Sequence, residues 1–328
     1  MAAAMRFEKR PGRATSFGLI SLILWVSTVG VGRDLLESIG PLFGSSLTFL
    51  LSGAFLIAVA TLRCRGLGWW SRISKRHLWI CGPFFVAYLG LFYVALGIAA
   101  DRQQAVLVGL VNYFWPTWIV LLAIPLQKMR PRFLLFGVGV VLGLVGVAFA
   151  ASVSAVGADG SCSTVAASLI RGWAPLTLAG AGSVAWGVYS NLAKRVPQTE
   201  TPVAVGLLMV AAGCILLVPA LIRGEAASWS LRPVMELVYL AGFPTAVGYT
   251  LWDRAMRDGN ITLLGSVSNL LPLASVALAG ALLGIPLHGR LIAGAAAVAA
   301  GSLACHRSLQ RDGSAEMMAS KRGMSDSR

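Results

Sequence analysis

The sequence predicts an all-α polytopic membrane protein, ten transmembrane helices arranged as two inverted five-helix repeats. Three observations predict it: ten long apolar stretches, a scarcity of charge, and self-similarity between the two halves. Of the 328 residues 57% are hydrophobic and only 12% are charged, with a mean hydropathy of +0.76. Soluble domains carry about 25% charged residues. About 20 apolar residues in a helix cross the hydrocarbon core of a bilayer, so each stretch is read as a span.

The first stretch, 15–32, follows a basic flank and contains "LILWVS". No small-x-small cleavage site follows Val31, so we expect a retained helix rather than a leader. Gly40–Pro41 opens the second stretch, 41–62, and the third, 78–98, carries "FVAYLGL". The fourth, 103–126, holds "VNYFWP". The fifth, 133–153, and the tenth, 289–305, contain "FGVGVVLGLVGVAFA" and "IAGAAAVAAGSLAC". Such small residues suit close helix packing in lipid. The sixth to ninth stretches cover 173–192, 202–222, 234–252 and 260–284. Residues 1–14 are then a cytoplasmic segment, 15–154 the first repeat, 173–305 the second, and 306–328 a polar tail expected to be disordered.

The net charge of +14 is not a nucleic-acid signal, because the basic residues punctuate apolar runs and no soluble domain presents them. They orient the chain instead. Counted over alternate connections, 21 Lys and Arg lie on the side of both termini and 6 on the other. The positive-inside rule makes both termini cytoplasmic, as an even number of spans requires. The five cysteines (Cys64, Cys81, Cys162, Cys214 and Cys305) are scattered and never spaced as CxxC. They suggest neither a disulfide framework nor a metal site. No cofactor is expected.

The repeat is legible in Trp25 and Trp186, and in Pro41 and Pro202, each pair 161 residues apart. Tyr93, Leu107, Gly109, Val111 and Pro116 likewise match Tyr249, Leu263, Gly265, Val267 and Pro272 at an offset of 156. Five spans per unit is odd, so the second unit is upside down relative to the first. That is the layout of alternating-access carriers with a site at the bilayer midplane.

Pro116 and Pro272 are expected near mid-depth, each depriving the carbonyl four residues back of its donor. Those carbonyls belong to Asn112 and Ser268. Groups of this kind persist in hydrocarbon only when they face protein or a watered cavity, so a kink lining a chamber is the expectation. Asn112, Trp115 and Ile119 share one helical face. Tyr88, Tyr113, Trp25, Trp186, Tyr189 and Tyr249 also fall deep in their spans, where an indole N–H or phenol O–H wants a partner. Trp69, Trp70, Trp79, Trp173 and Trp229 read as interfacial. The acidic residues, Asp34, Glu37, Asp101 and Asp253 among them, lie at or beyond span ends, and His77, His288 and His306 are peripheral. No proton carrier marks the spans, so facilitated diffusion is expected, with coupling through Asp101 or Asp253 the alternative.

These residues carry a resemblance. Ten spans in two repeats, the "LW" of the first span, the "GP" opening the second and the "VNYFWP" run are similar to the drug/metabolite transporter superfamily, EamA-type. "FVAYLGL", "VGLVNYFWP" and "DGNITLLGS" resemble, more narrowly, the YddG-type aromatic amino acid exporters. The family's motif residues fall on Tyr88, Asn112, Tyr113, Trp115 and Pro116, and less closely on Trp186, Tyr249 and Trp252. The "ADRQQA" loop departs from the pattern, with Arg102 and Gln103 where the family has histidines. The resemblance implies an inner-membrane exporter of aromatic amino acids, with other neutral amino acids and compounds such as methyl viologen as further substrates. We expect a monomer in the lipid bilayer, binding small molecules and no nucleic acid. The expected substrate-binding set is Tyr88, Asn112, Tyr113, Trp115, Trp186, Tyr189 and Tyr249, with Pro116, Pro272 and Ser268 as helix-break or gating residues. The rival expectation is a broad-specificity, proton-coupled drug or metabolite exporter. An intramembrane enzyme would need convergent nucleophile, His or carboxylate groups, and none is visible.

Overall fold

The computed structural model describes residues 11–127, 132–152, 173–196, 201–225 and 227–308. Cys162, the start of the N-terminal segment and the tail beyond Ser308 lie outside the described residues. Among those described the secondary structure is helical throughout, without a strand.

Helices α1 (Pro11–Val26) and α2 (Thr28–Ile39) form a pair bent by 42°. Then follow α3 (Pro41–Arg63), a 3-10 turn at Leu67–Arg72, α4 (Lys75–Ile80) and α5 (Gly82–Gly97). Helices α6 (Arg102–Asn112), α7 (Trp115–Gln127) and α8 (Phe133–Ala151) complete the first half. The second half holds α9 (Trp173–Arg195), α10 (Thr201–Arg223) and α11 (Leu231–Leu240). A π-helical segment, Ala241–Val247, leads into α12 (Gly248–Asp258). Helices α13 (Ile261–Ser268), α14 (Leu271–Leu283) and α15 (Gly289–Ser308) close the described chain.

Among the described residues six segments are long and apolar enough to cross a membrane: Pro41–Arg63, Arg102–Leu122, Phe133–Ala151, Pro202–Arg223, Leu231–Met256 and Gly289–Ser308. The bent α1–α2 pair makes seven if it is one span. The other three expected stretches fall short of that test in length, polarity or continuity. Helix α5 has 16 residues, α9 carries buried Ser183 and Asn191, and 260–284 is cut at Asn269–Leu270.

Pro116 and Pro272 stand at breaks within their spans rather than in the interior of an unbroken helix. Helix α6 stops at Asn112 and α7 starts at Trp115, so Pro116 stands in a first turn. Helix α13 stops at Ser268 and Pro272 stands in the first turn of α14. A first-turn N–H has no intrahelical acceptor, so a proline there sacrifices nothing. The breaks take their own bonds: Tyr113 N–H donates to Gly109 and Phe114 N–H to Val111, both at 3.1 Å. Leu270 N–H donates to Val267 at 2.9 Å.

The small-residue stretches behave as expected. Helices α8 and α15 touch backbone to backbone, since a Cβ added at Gly146 would stand 2.7 Å from the Gly294 carbonyl oxygen. One at Gly301 would stand 2.5 Å from that of Gly139. Helices α3 and α10 meet in the same way, with a Gly53 Cβ 2.5 Å from the Gly206 oxygen. Without side chains in the way, dispersion contacts run along the whole seam.

One end of the bundle is bound by charge. The Arg33 guanidinium donates to Glu37 Oε1 at 2.8 Å and to the carbonyls of Leu96 and Gly97 at 2.9 and 3.0 Å. Arg102 donates to Glu37 Oε2 at 2.7 Å, to Asp34 Oδ1 at 3.0 Å and to the Leu283 carbonyl at 3.1 Å. Arg232, from the other half of the chain, takes the second oxygen of Asp34 and reaches Glu236 at 2.9 Å. Glu225 accepts from the N–H groups of Leu42 and Phe43 at 3.0 and 2.9 Å, where the positive end of α3 favours a carboxylate. Its oxygen lies against Gly40, whose φ of +87° and lack of Cβ leave the room.

Candidate functional site

The bend between α1 and α2 carries Trp25 into the middle of the molecule. Its ring centroid lies 5.1 Å from that of Tyr249, 5.2 Å from Trp252 and 6.3 Å from Trp186. Helix α5 adds Tyr88, 4.7 Å from Trp186, and Phe92 one turn on, stacked on Tyr88 at 6.2 Å. Trp115, just past the α6–α7 break, meets Trp252 edge-on at 6.3 Å. Edge-to-face and tilted contacts of this spacing are the favoured ones, so the rings form a stiff wall.

The wall encloses a cavity of about 440 Å³, its open mouth included. Trp25, Thr28, Val29, Tyr88, Phe92, Asn112, Tyr113, Trp115, Trp186, Tyr249 and Leu271 line it. Six of the seven expected binding residues are brought together: Tyr88, Asn112, Tyr113, Trp115, Trp186 and Tyr249. Tyr189 is not among the lining residues. It stands behind the wall, packed on Phe85 at 5.1 Å, Trp186 at 5.3 Å and His77 at 6.2 Å. Trp186 and Tyr189 are one turn apart on the same side of α9. Pro116, Pro272 and Ser268 are not lining residues; Ser268 is buried, and the prolines start the helices that present Trp115 and Leu271.

Sequence reasoning placed Trp25 deep in its span without assigning it to the binding set, and it missed Thr28, Val29, Phe92 and Leu271 altogether. Leu271 was findable, since it sits 156 residues after Trp115, the offset of the repeat. Phe92 and Thr28 follow Tyr88 and Trp25 by one helical turn, the spacing of one face. Two further expectations are corrected by burial. Trp69 is buried, its indole donating to Thr61 Oγ1 at 3.0 Å, while Trp70, Trp79, Trp173 and Trp229 are exposed. His77 is buried with Nδ1 3.0 Å from the Val196 carbonyl oxygen. Asp34 also is buried, and Asp253 stands within α12 with one carboxylate oxygen buried.

The polar groups of the cavity are few and neutral. Asn112 is buried, and the Tyr88, Tyr113 and Tyr249 side chains share the lining with it. The Trp25 indole is turned away, donating to the Pro244 carbonyl at 3.0 Å. No lining residue is a charged acid, a base or a thiol. Such a hollow is shaped to hold an uncharged or aromatic group among rings.

The comparisons with known proteins agree. The profile of the EamA-like transporter family matches residues 173–305. The aromatic amino acid exporters YddG of Salmonella typhimurium (strain 14028s / SGSC 2262) and Escherichia coli (strain K12) are each 31% identical over 302 residues, 91% of this chain and 98% of theirs. The chain belongs to the EamA-like transporter family. The aromatic amino acid exporter YddG of Ancylobacter novellus is 28% identical over 81% of this chain and 87% of its own. A chain of known crystal structure superposes with a TM-score of 0.62 at 25% identity, covering 89% of this chain and 96% of that one.

Proposed function

We propose that this transporter exports aromatic amino acids, with other neutral amino acids as further substrates, across the bacterial inner membrane by alternating access through the chamber. The observation that carries the reading is the uncharged, aromatic-walled hollow with a buried amide in it. An aromatic side chain stacks on the Trp and Tyr rings, while the polar head meets Asn112 and the Tyr88 hydroxyl. Tyr113, Trp115, Trp186 and Tyr249 complete the binding set, and the breaks before Pro116 and Pro272 are where the chamber wall changes shape. The similarity to the YddG exporters points to the same substrates.

In this reading residues 15–154 and 173–305 are two five-span units, inverted with respect to one another, with both termini cytoplasmic. Helix pairing supports it: α3 packs on α10 and α8 on α15, each helix meeting its own counterpart across the axis that would relate the halves. The ion cluster of Arg33, Asp34, Glu37, Arg102, Arg232 and Glu236 joins the halves at the end away from the termini. It supports a state closed to the outside.

A neutral wall gives no obvious site for a coupling proton, so transport runs down the substrate's own gradient. Purified protein in lipid vesicles should show saturable efflux of labelled phenylalanine and tryptophan, accelerated by unlabelled substrate on the far side and indifferent to an imposed pH gradient. Competition by a quaternary cation as strong as by tryptophan would favour a loose multidrug pocket instead. Flux without saturation or trans-stimulation would indicate a channel. Dependence on the pH gradient would bring in Asp253.

A further inference from the structure

The bend in the first span frees a hydroxyl. Four threonines in these helices return their side chain to the carbonyl four residues back: Thr48 to Gly44, Thr61 to Ile57 and Thr250 to Ala246, each at 2.8 Å, and Thr177 to Trp173 at 2.7 Å; Thr245 Oγ1, like Thr28 Oγ1, is buried without one. Thr28 would return to Leu24. That oxygen is already taken twice, by the Ser27 hydroxyl at 2.8 Å and the Ser27 N–H at 3.3 Å. A carbonyl has two lone pairs to offer. Thr28 Oγ1 is therefore left buried, without a hydrogen-bond partner among the described residues, on a residue that lines the chamber.

A second oxygen in the same cavity is in the same condition. Asn112 Oδ1 is buried and has no partner among the described residues. The chamber thus holds one oxygen that can only accept and a hydroxyl that can accept or donate. A carboxylate brings no proton and would set its lone pairs against those of the amide oxygen. An ammonium brings three N–H donors, and its charge is favoured over the surrounding ring faces.

We propose that Thr28, together with Asn112, holds the ammonium group of the transported amino acid, and that Thr28 selects substrates which carry it. The inference rests on the export reading for the identity of the substrate, but not for the chemistry of the subsite. Buried unpaired polar groups are costly, so this one is kept for a ligand.

The test is binding of three indoles to purified protein: tryptophan, tryptamine, which lacks the carboxylate, and indole-3-propionate, which lacks the ammonium. The wild-type protein should bind the first two and bind indole-3-propionate at least about tenfold more weakly, one lost charged hydrogen bond. Thr28→Val, the same shape without the hydroxyl, should weaken tryptophan and tryptamine by about tenfold and leave indole-3-propionate unchanged. The ligand-free variant should melt no lower than the wild type, and Thr28→Ser should restore the discrimination. Equal binding of tryptamine and indole-3-propionate by the wild type would overturn the proposal, as would equal weakening of all three ligands in Thr28→Val. Wild-type protein that binds tryptamine yet does not transport tryptophan would overturn the export reading and leave the ammonium subsite standing.

Discussion

The indole nitrogen of Trp25 and the carbonyl oxygen of Pro244 are 3.0 Å apart, a hydrogen bond between residues separated by 219 positions. The π-helical turn helps make it possible. Within the π-helical turn the Gly248 N–H goes to Phe243 and Thr245, leaving the Pro244 oxygen for an outside donor. One residue thereby both walls the chamber and ties the bent first span to the segment Leu231–Met256.

Trp25→Phe keeps an aromatic ring but removes the donor. The Pro244 carbonyl then loses its indole donor, which costs about 0.5–1.5 kcal/mol. The detergent-solubilised variant should melt below the wild type, whereas Trp79→Phe, at a site 82% exposed, should not move the transition.

The α8–α15 seam should reject any side chain. Gly146→Val would drive a Cβ to within 2.7 Å of the Gly294 oxygen, and backbone cannot yield as a flexible side chain does. Little monodisperse protein should be recovered. Gly137→Ala, on the same helix with nothing within 4 Å of the added carbon, should fold normally and gain about 0.5–1 kcal/mol of helix stability.

Arg33 holds one side of the ion cluster together from a buried position. Arg33→Leu removes a partner from Glu37 and donors from the Leu96 and Gly97 carbonyls. The expected loss is about 3 kcal/mol, the low end for breaking a buried pair, because Glu37 keeps Arg102. Unfolding in denaturant should reveal it. Arg232, with a side chain 69% exposed, should matter far less, and less still at high salt.

Two tyrosines on facing helices should separate cleanly in transport. Tyr88→Phe deletes a hydroxyl at the cavity wall, and half-saturation should rise by about tenfold, one hydrogen bond to the ligand's polar head. Tyr189→Phe alters a ring outside the cavity lining and should leave half-saturation within about twofold of wild type. Efflux kinetics in vesicles measure both.

Much of the fold was legible because it depends on local composition. The apolar stretches became helices, and the glycine- and alanine-rich ones became seams. The site was legible in part: Asn112, Tyr113 and Trp115 of "VNYFWP" reach the hollow from the two sides of the α6–α7 break. Pro116 and Pro272 were misread because a first-turn proline and a mid-helix proline look alike in sequence, and only the course of the chain distinguishes them. Asp34 and His77 were placed at the periphery because proximity to a span end resembles exposure. Their burial comes from residues far along the chain, Arg102 and Arg232 for the one and Val196 for the other.

By itself the sequence determined that this chain is helical and belongs in a bilayer, because hydropathy and helix formation act over a turn or a span. It also determined which residue types could recognise an aromatic ligand. Only the tertiary structure decided that Thr28 and Asn112 open into one hollow while Tyr189 stands behind it. Rotation about each helix axis and the bend at Ser27 are set by packing between distant segments, and that packing exists only once the helices have met.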